Sequence, residues 1–291
     1  MSTRQRLNAL GIAPRKSLGQ NFLTDPSTAR AIVATAQIDP GDLVIEIGPG
    51  IGALTQFLVR QAGHVIAIEL DQHLIPALQA ELGHPANLTI IHADALEVDY
   101  KAIRQTSGAD ACPPDAPVRV VGNLPYYITS SLIRRLLESQ LKPALIVLTV
   151  QMEVAQRMIA GPDEMSLLAV SVQFYGQPRL VMRVSPSAFY PQPEVDSAVV
   201  AITPHRNPLY PSPNSVFALA RAGFGQRRKQ LRNTLASGLR ITREQAEEIL
   251  LASRIDPARR AETLGIDEWI TLATHYDSQR QAHSGDSDHR T

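Results

Sequence analysis

Between residues 42 and 203, short apolar runs alternate with stretches of helical spacing. The runs are LVIEI (43–47), HVIAIEL (64–70), LTIIHA (88–93), VRVVG (118–122) and ALIVLTV (144–150). Each is rich in β-branched residues, apolar on both faces and bounded by Gly, Pro, Asp or Asn, as strands covered on two sides are. Between them Leu54, Phe57 and Leu58 recur at helical spacing, as do Leu132, Ile133, Leu136 and Leu137 after Thr129 as an N-cap. Strand–helix alternation of this length predicts an α/β fold: an open, mostly parallel sheet covered by helices, with right-handed crossovers. QPRLVMRVS (177–185) and EVDSAVVAITP (194–204) follow, and read as an antiparallel edge pair that ends the sheet.

The segment HRNPLYPSPN (205–214) holds Pro208, Pro211 and Pro213 and reads as a linker. Beyond it the pattern is helical. Thr242 to Gln245 is a capping box leading into 246–251, Asp256-Pro257 marks another helix start, and Ile266, Trp269, Ile270 and Ala273 share one face of a last helix. The expected division is a first domain over 1–204, with a basic arm and first helix in 1–40, a linker over 205–214, and a small all-helical domain over 215–276. A polar tail over 277–291 is expected to be disordered.

With 291 residues, 44% hydrophobic and 19% charged, the chain suits about two domains of roughly 150 residues, and a disordered or collagen-like chain is excluded. No stretch approaches the eighteen or so unbroken apolar residues of a membrane helix, and the start MSTRQRLNALG lacks the apolar core of a secretory signal. A cytoplasmic protein is expected. The lone Cys112 offers no internal disulfide, and the eight histidines show no ligand spacing, so no metal is expected. The formal net charge of +0 hides a pattern: residues 31–100 carry a net −8, residues 1–30 a net +4 and residues 221–260 a net +6. Solvated helix faces account for such asymmetry; so do two basic segments that meet an anion.

The candidate chemistry starts where LVIEI runs into Gly48-Pro-Gly50-Ile-Gly52. Glycines suit a tight turn that a ligand approaches closely, and a purely structural turn reads the same way. Glu69 ends the next apolar run, 21 positions after Gly48, the spacing at which an acid reaches ribose hydroxyls beside a nucleotide loop. Asp94 follows the third run, either as an acceptor for an adenine amino group or as a turn-capping residue. The glycines fall as G-x-G-x-G, not G-x-G-x-x-G, and the acid Glu46 precedes them by two residues. An acidic approach suits a cationic ligand such as S-adenosylmethionine better than a diphosphate; a nicotinamide dinucleotide is the disfavoured alternative.

After the fourth run comes Gly122-Asn123-Leu124-Pro125-Tyr126-Tyr127. An exocyclic amine is a poor nucleophile because its lone pair is delocalised into the ring. Two acceptors on its hydrogens, the Asn123 side-chain carbonyl and the Leu124 backbone carbonyl, would favour a pyramidal nitrogen. Pro125 would stiffen the turn and Tyr126 would offer a ring to stack on a base. The bland alternative is an Asn-x-Pro turn with a buried Tyr. Phe189, in the Pro-rich stretch before the last run, is either a second stacking ring or a core residue.

These motifs, in order, resemble the KsgA/RsmA family of bacterial small-subunit rRNA adenine N6,N6-dimethyltransferases, within the wider group that includes the Erm resistance methylases. The resemblance runs from about Arg15 to Ala273. It rests on residues 15–23 (RKSLGQNFL), 46–52 (EIGPGIG), 68–71 (IELD), Asp94-Ala95, 123–126 (NLPY), 189–197 (FYPQPEVDS) and 224–231 (FGQRRKQL). It implies a Rossmann-like class I methyltransferase sheet, mostly parallel with the last strand antiparallel, and S-adenosylmethionine contacts from Asn21, Leu23, Gly48, Gly50, Glu69, Asp94 and Asn123. It implies catalysis at Asn123, Leu124, Pro125 and Tyr126 with Phe189 as the second ring. The implied activity is dimethylation of two adjacent adenines in the 3′-terminal hairpin of small-subunit rRNA, by a monomer acting on an immature small ribosomal subunit. Arg227, Arg228, Lys229 and Arg232 are expected to form a basic helical patch against RNA, joined by Arg15 and Lys16 and by Arg134-Arg135. An Erm-type large-subunit enzyme and a pre-ribosome assembly factor with secondary catalysis are the rival readings; Leu at the second position of NLPY favours the first-named branch. Tyr127 and the tail after Tyr276 receive no role.

Overall fold

The computed structural model describes residues 7, 12–15, 18–106, 112–113, 115–124, 128–207 and 209–285. The chain divides into two compact units, one of residues 1–156 and 176–204, the other of residues 157–175 and 205–291. Residues 157–175 thus leave the span 1–204 that the sequence assigned to the first domain.

In the first unit a two-residue strand β1 (Phe22–Leu23) precedes helix α1 (Pro26–Thr35), whose N-cap Asp25 accepts from the amides of Ser27 and Thr28. Then follow β2 (Leu43–Ile47), α2 (Thr55–Leu58), β3 (His64–Glu69), α3 (Ile75–Leu82), β4 (Leu88–His92), α4 (Tyr100–Thr106), β5 (Val118–Asn123), α5 (Thr129–Glu138), β6 (Leu145–Gln151) and α6 (Met152–Ile159), whose residues from Arg157 on belong to the second unit. Thr129 opens α5 as its first residue; the position before it is Ile128, which makes no side-chain cap. Helix α7 (Leu167–Tyr175) belongs to the second unit, after which β7 (Gly176–Val184), β8 (Phe189–Tyr190) and β9 (Ser197–Pro204) return to the first.

The seven-stranded sheet has the order β4-β3-β2-β5-β6-β9-β7. β2 pairs in parallel with β3 and β5, β3 with β4, and β5 with β6, while β9 runs antiparallel to both β6 and β7. The last strand is therefore antiparallel, as expected, but it is inserted between β6 and β7. The edge belongs to β7, which carries Pro178 and a register shift between Leu180 and Met182, both compatible with an edge. The strands β2, β3 and β6 are buried along almost their whole length, which is why they read as continuous apolar runs. Strand order reverses across β2 and β5, and in such sheets the crevice beyond the strands' carboxyl ends is where ligands bind. Register places Ile47 beside Ile68 and Gly122, and Glu69 beside His92, so the residues following these strands share one edge.

The second unit continues with α8 (Pro213–Phe224), α9 (Leu231–Leu239), α10 (Arg243–Ala252) and α11 (Ile266–Gly285). Its core joins Phe174, Phe217, Leu231, Leu250 and Trp269, with Phe224 packed beside the indole at 5.6 Å between ring centroids. Thr242 and Gln245 form the expected capping box at α10. Two expectations are corrected here. Asp256-Pro257 opens a turn rather than a helix, with Asp256 accepting from the Ala258 amide at 2.9 Å. Helix α11 continues through residues 277–285, which the sequence had placed in a disordered tail. Asp277 there accepts from the hydroxyls of Tyr210 (2.9 Å), in the Pro-rich stretch, and Ser215 (2.6 Å), in α8. Residues 286–291 and Pro208 lie outside the described residues. No described helix is long and apolar enough to cross a membrane.

Candidate active site

The crevice beyond β2, β3, β4 and β5 is lined by the glycine turn, by Glu46, Glu69, Asp94, Asn123 and Leu124, and by residues 18–23 of the N-terminal segment. Gly48 has φ +68° and Gly50 φ +58°, a region that side chains rarely adopt, and a Cβ on Gly50 would meet the Phe22 ring at 3.1 Å. The turn is thus closed to larger residues by backbone shape and by the N-terminal segment packed on it. After the glycines come turns and then the four-residue α2, so no long helix points its amides at the crevice.

Glu69 is buried, and each carboxylate oxygen takes one backbone amide: Oε2 from Gly50 at 3.0 Å and Oε1 from Asp71 at 2.8 Å. A carboxylate oxygen has two lone pairs, so each can accept one more donor, such as a vicinal hydroxyl. Burial pushes the Glu69 carboxyl above its ordinary value and the charge of Asp71 adds to the effect, against the opposing amides of Asp71 and Gly50. Glu46 is 1% exposed, and its Oε2 has no hydrogen-bond partner among the described residues. Burial raises its pKa to about 8; Thr55 opposes the shift and the nearby charge of Glu69 supports it. A buried carboxyl with one unpartnered oxygen beside a crevice suits a cationic ligand group, which would restore its charged form.

Asp94 is a turn-capping residue at the rim of the crevice. Its Oδ1 accepts from the Leu96 amide at 2.8 Å, capping the turn after β4, while the residue lines the crevice. Asn123 ends β5, and its Nδ2 donates to the backbone carbonyl of Asn21 at 2.9 Å. That bond commits the amide nitrogen and leaves Oδ1 as an acceptor with no partner among the described residues. Leu23 and Leu124 are buried and line the crevice. Pro125, Tyr126 and Tyr127 lie outside the described residues.

Phe189 departs from the stacking role. β8 pairs antiparallel with β1, Phe189 opposite Leu23, and this register turns the ring into the core with Leu23, Val184 and Ala188 at 3% exposure. The basic residues divide. Arg227, Arg228 and Lys229 are exposed and unpaired among the described residues, but they occupy the turn between α8 and α9, not a helix. Arg232 is tied to Glu247 at 3.2 Å and to Gln230 at 3.0 Å. Arg15 reaches Asp71 at 3.3 Å, Arg134 pairs with Glu138 at 2.8 Å, and Arg135 donates to the Val98 carbonyl at 2.8 Å. Lys16 is outside the described residues. Among the described residues no group of three or more His, Cys, Asp or Glu could hold a metal ion. Two residues inside the quoted motifs were given no role from the sequence: Gln20, which lines the crevice, and Asp71. They bond to each other at 2.9 Å, and the acid two places after Glu69 was the available signal.

The sheet order with its reversed last strand, the glycine turn after β2 and the carboxylate ending β3 define a class I methyltransferase. A model of the ribosomal RNA adenine dimethylase family matches residues 12–277, and the chain belongs to that family. It is 45% identical over 275 residues to the ribosomal RNA small subunit methyltransferase A of Dehalococcoides mccartyi strain CBDB1, covering 94% of this chain and 92% of that one. It is 43% identical over 270 residues to the protein of the same name from Moorella thermoacetica, covering 90% and 92%. Among solved structures, the 23S rRNA methyltransferase ErmE superposes with a TM-score of 0.69 at 25% identity, covering 88% of this chain and all of that one. A dimethyladenosine transferase from Plasmodium falciparum gives a TM-score of 0.74 at 23% identity, covering 89% and 98%, a likeness of fold. The protein is accordingly an rRNA adenine dimethyltransferase, and its methyl donor is S-adenosylmethionine. The crevice fits that group: the unpartnered Glu46 Oε2 suits its cationic end, and the two remaining lone pairs on Glu69 suit its ribose.

Proposed function

We propose that the protein dimethylates N6 of two adjacent adenines in the 3′-terminal hairpin of small-subunit rRNA, acting in the cytoplasm as a monomer without a metal on an immature small-subunit particle. The observation that carries the chemistry is the Asn123 carboxamide, anchored through Nδ2 on the Asn21 carbonyl so that Oδ1 is the atom left to accept. The substrate rests on the small-subunit relatives at 43–45% identity, against 25% for the large-subunit enzyme ErmE.

S-adenosylmethionine supplies a methyl group made electrophilic by its sulfonium. Asn21, Leu23, Gly48, Gly50, Glu69 and Asp94 would hold it, with Glu69 accepting the ribose hydroxyls, Asp94 the adenine amino group, and Glu46 facing the cationic end. Asn123 Oδ1 and the Leu124 carbonyl accept the two N–H groups of the target amine. They draw the nitrogen away from planarity and aim its lone pair at the carbon it will bond. Once the N–C bond forms, the nitrogen carries one proton too many and releases it to water, so no general base is required; positioning and a polarised amine supply the rate. Pro125 stiffens this loop and Tyr126 stacks on the base, roles that come from the sequence alone. Arg227, Arg228 and Lys229 contact RNA phosphates.

Mass spectrometry of small-subunit RNA, after incubation of immature particles with the protein and methyl-labelled cofactor, tests this reading. It expects two methyl groups on each of two adjacent adenines. Label on large-subunit RNA instead, or none on either, overturns it.

A further inference from the structure

We infer that Gln20 and Asp71 are positioning residues that set which face of the Asn123 carboxamide meets the amine; the inference rests on the role proposed above for Asn123. Asn123 Nδ2 donates to a main-chain carbonyl, that of Asn21, so whatever fixes the Asn21 peptide fixes the carboxamide. The adjoining residue is clamped by side chains. Gln20 Nε2 donates to Asp71 Oδ2 at 2.9 Å, and Gln20 Oε1 accepts from the Arg15 amide at 2.9 Å. The Arg15 guanidinium lies 3.3 Å from Asp71 Oδ1, which also accepts from the His73 amide at 3.1 Å. Asp71 is buried, and its own amide donates to Glu69 Oε1 at 2.8 Å. On the other side of Asn21, Phe22 is pressed against Gly50. The carbonyl of Asn21 is therefore held between a clasp on the Glu69 strand end and a ring packed on the glycine turn.

A primary carboxamide rotated by half a turn exchanges its acceptor for a donor. With Oδ1 toward the crevice it receives the amine's N–H; with Nδ2 there, two donors face each other and the amine is not polarised. The bond to Asn21 O selects between these states, and a slack Asn21 peptide lets the inactive one be populated. Releasing the clasp thus lowers turnover through Asn123 without emptying the cofactor site.

Gln20→Ala and Gln20→Glu, in the full-length protein, test this. Both should lower kcat about tenfold while KM for S-adenosylmethionine changes less than about threefold. In an Asn123→Ala background neither should cause further loss, because the group being oriented is gone. Combining Gln20→Glu with Asp71→Asn rebuilds the bond with donor and acceptor exchanged and should recover most of kcat. Independently of turnover, the side-chain NH2 signal of Asn123 in ligand-free protein labelled with 15N-asparagine, assigned by its loss in Asn123→Ala, should move toward the free-carboxamide position in Gln20→Ala. Wild-type kcat with an unmoved Asn123 signal overturns the inference, as do losses that multiply in the Asn123→Ala background. If the wild-type protein transfers no methyl group, the proposed function fails instead, and the Asn123 signal still decides whether the clasp orients it.

Discussion

The crevice of the first unit and the basic turn of the second handle charge in opposite ways. Glu46, Glu69 and Asp71 are 1%, 6% and 3% exposed; the oxygens of Glu69 and Asp71 are held by named amides and side chains, whereas Glu46 Oε2 has no partner among the described residues. Arg227, Arg228 and Lys229 are exposed, with no partner holding them among the described residues. Buried, oriented carboxylates are costly and therefore selective: they suit the placement of one ligand in one pose. Free cations on a turn impose no pose but act over a Debye length, which suits capture of a polyanion. Under the proposed function, this difference leaves geometry to one unit and affinity for RNA to the other.

The sharpest way to break that assignment is Asn123→Ala, which should lower kcat by about 10²–10³-fold, the usual cost of losing one preorganised partner of a reacting group. Calorimetric affinity for S-adenosylmethionine should change less than about threefold in the same variant. Glu69→Ala should do the reverse at the binding step, weakening the cofactor by about 10–100-fold as charge-assisted hydrogen bonds are lost. Replacing Arg227, Arg228 and Lys229 together by Ala should leave cofactor affinity and melting temperature unchanged. The slope of log K for RNA against log salt should flatten by about two, at roughly 0.7 per single-strand phosphate contact. A salt-independent wild-type affinity would remove the turn from the RNA footprint.

Glu46 supplies a pH test of the buried side. Its folded pKa of about 8 lies above the ordinary 4.5, so between these values the folded state keeps a proton that the unfolded state has lost. This contribution stabilises the ligand-free protein at acid pH and is lost as pH rises toward 8. Glu46→Gln should flatten that decline and raise the melting temperature at pH 8, by roughly 2–4 °C for each kcal/mol recovered. The smallest effect belongs to Asp277→Ala, which should cost the second unit about 1–3 kcal/mol by leaving two hydroxyls without their acceptor, read from denaturant unfolding.

What the sequence made legible follows the same division. Buried parallel strands announce themselves as apolar runs, and the five runs between residues 43 and 150 became β2 to β6 within a residue or two. The cap at Thr242 was readable because capping is local. The glycine turn, Glu69 and Asn123 were found because strand ends bring them to one edge. Pairings across long separations left no such trace: Arg15 with Asp71 and Arg232 with Glu247 took two cations out of the expected RNA face. Residues 277–285 looked like a tail because their helix is polar all round, and its tie to Tyr210 and Ser215 is tertiary. Phe189 could not be placed from spacing, since the choice between core and crevice depends on the register of β1 against β8.

The most direct test is a crystal structure of the protein with S-adenosylhomocysteine and a small-subunit RNA hairpin carrying the target adenines. It should place adenine N6 within hydrogen-bonding distance of both Asn123 Oδ1 and the Leu124 carbonyl, with Asn123 Nδ2 still on Asn21. An adenine amine bound elsewhere in the crevice, or facing Asn123 Nδ2, would contradict the account.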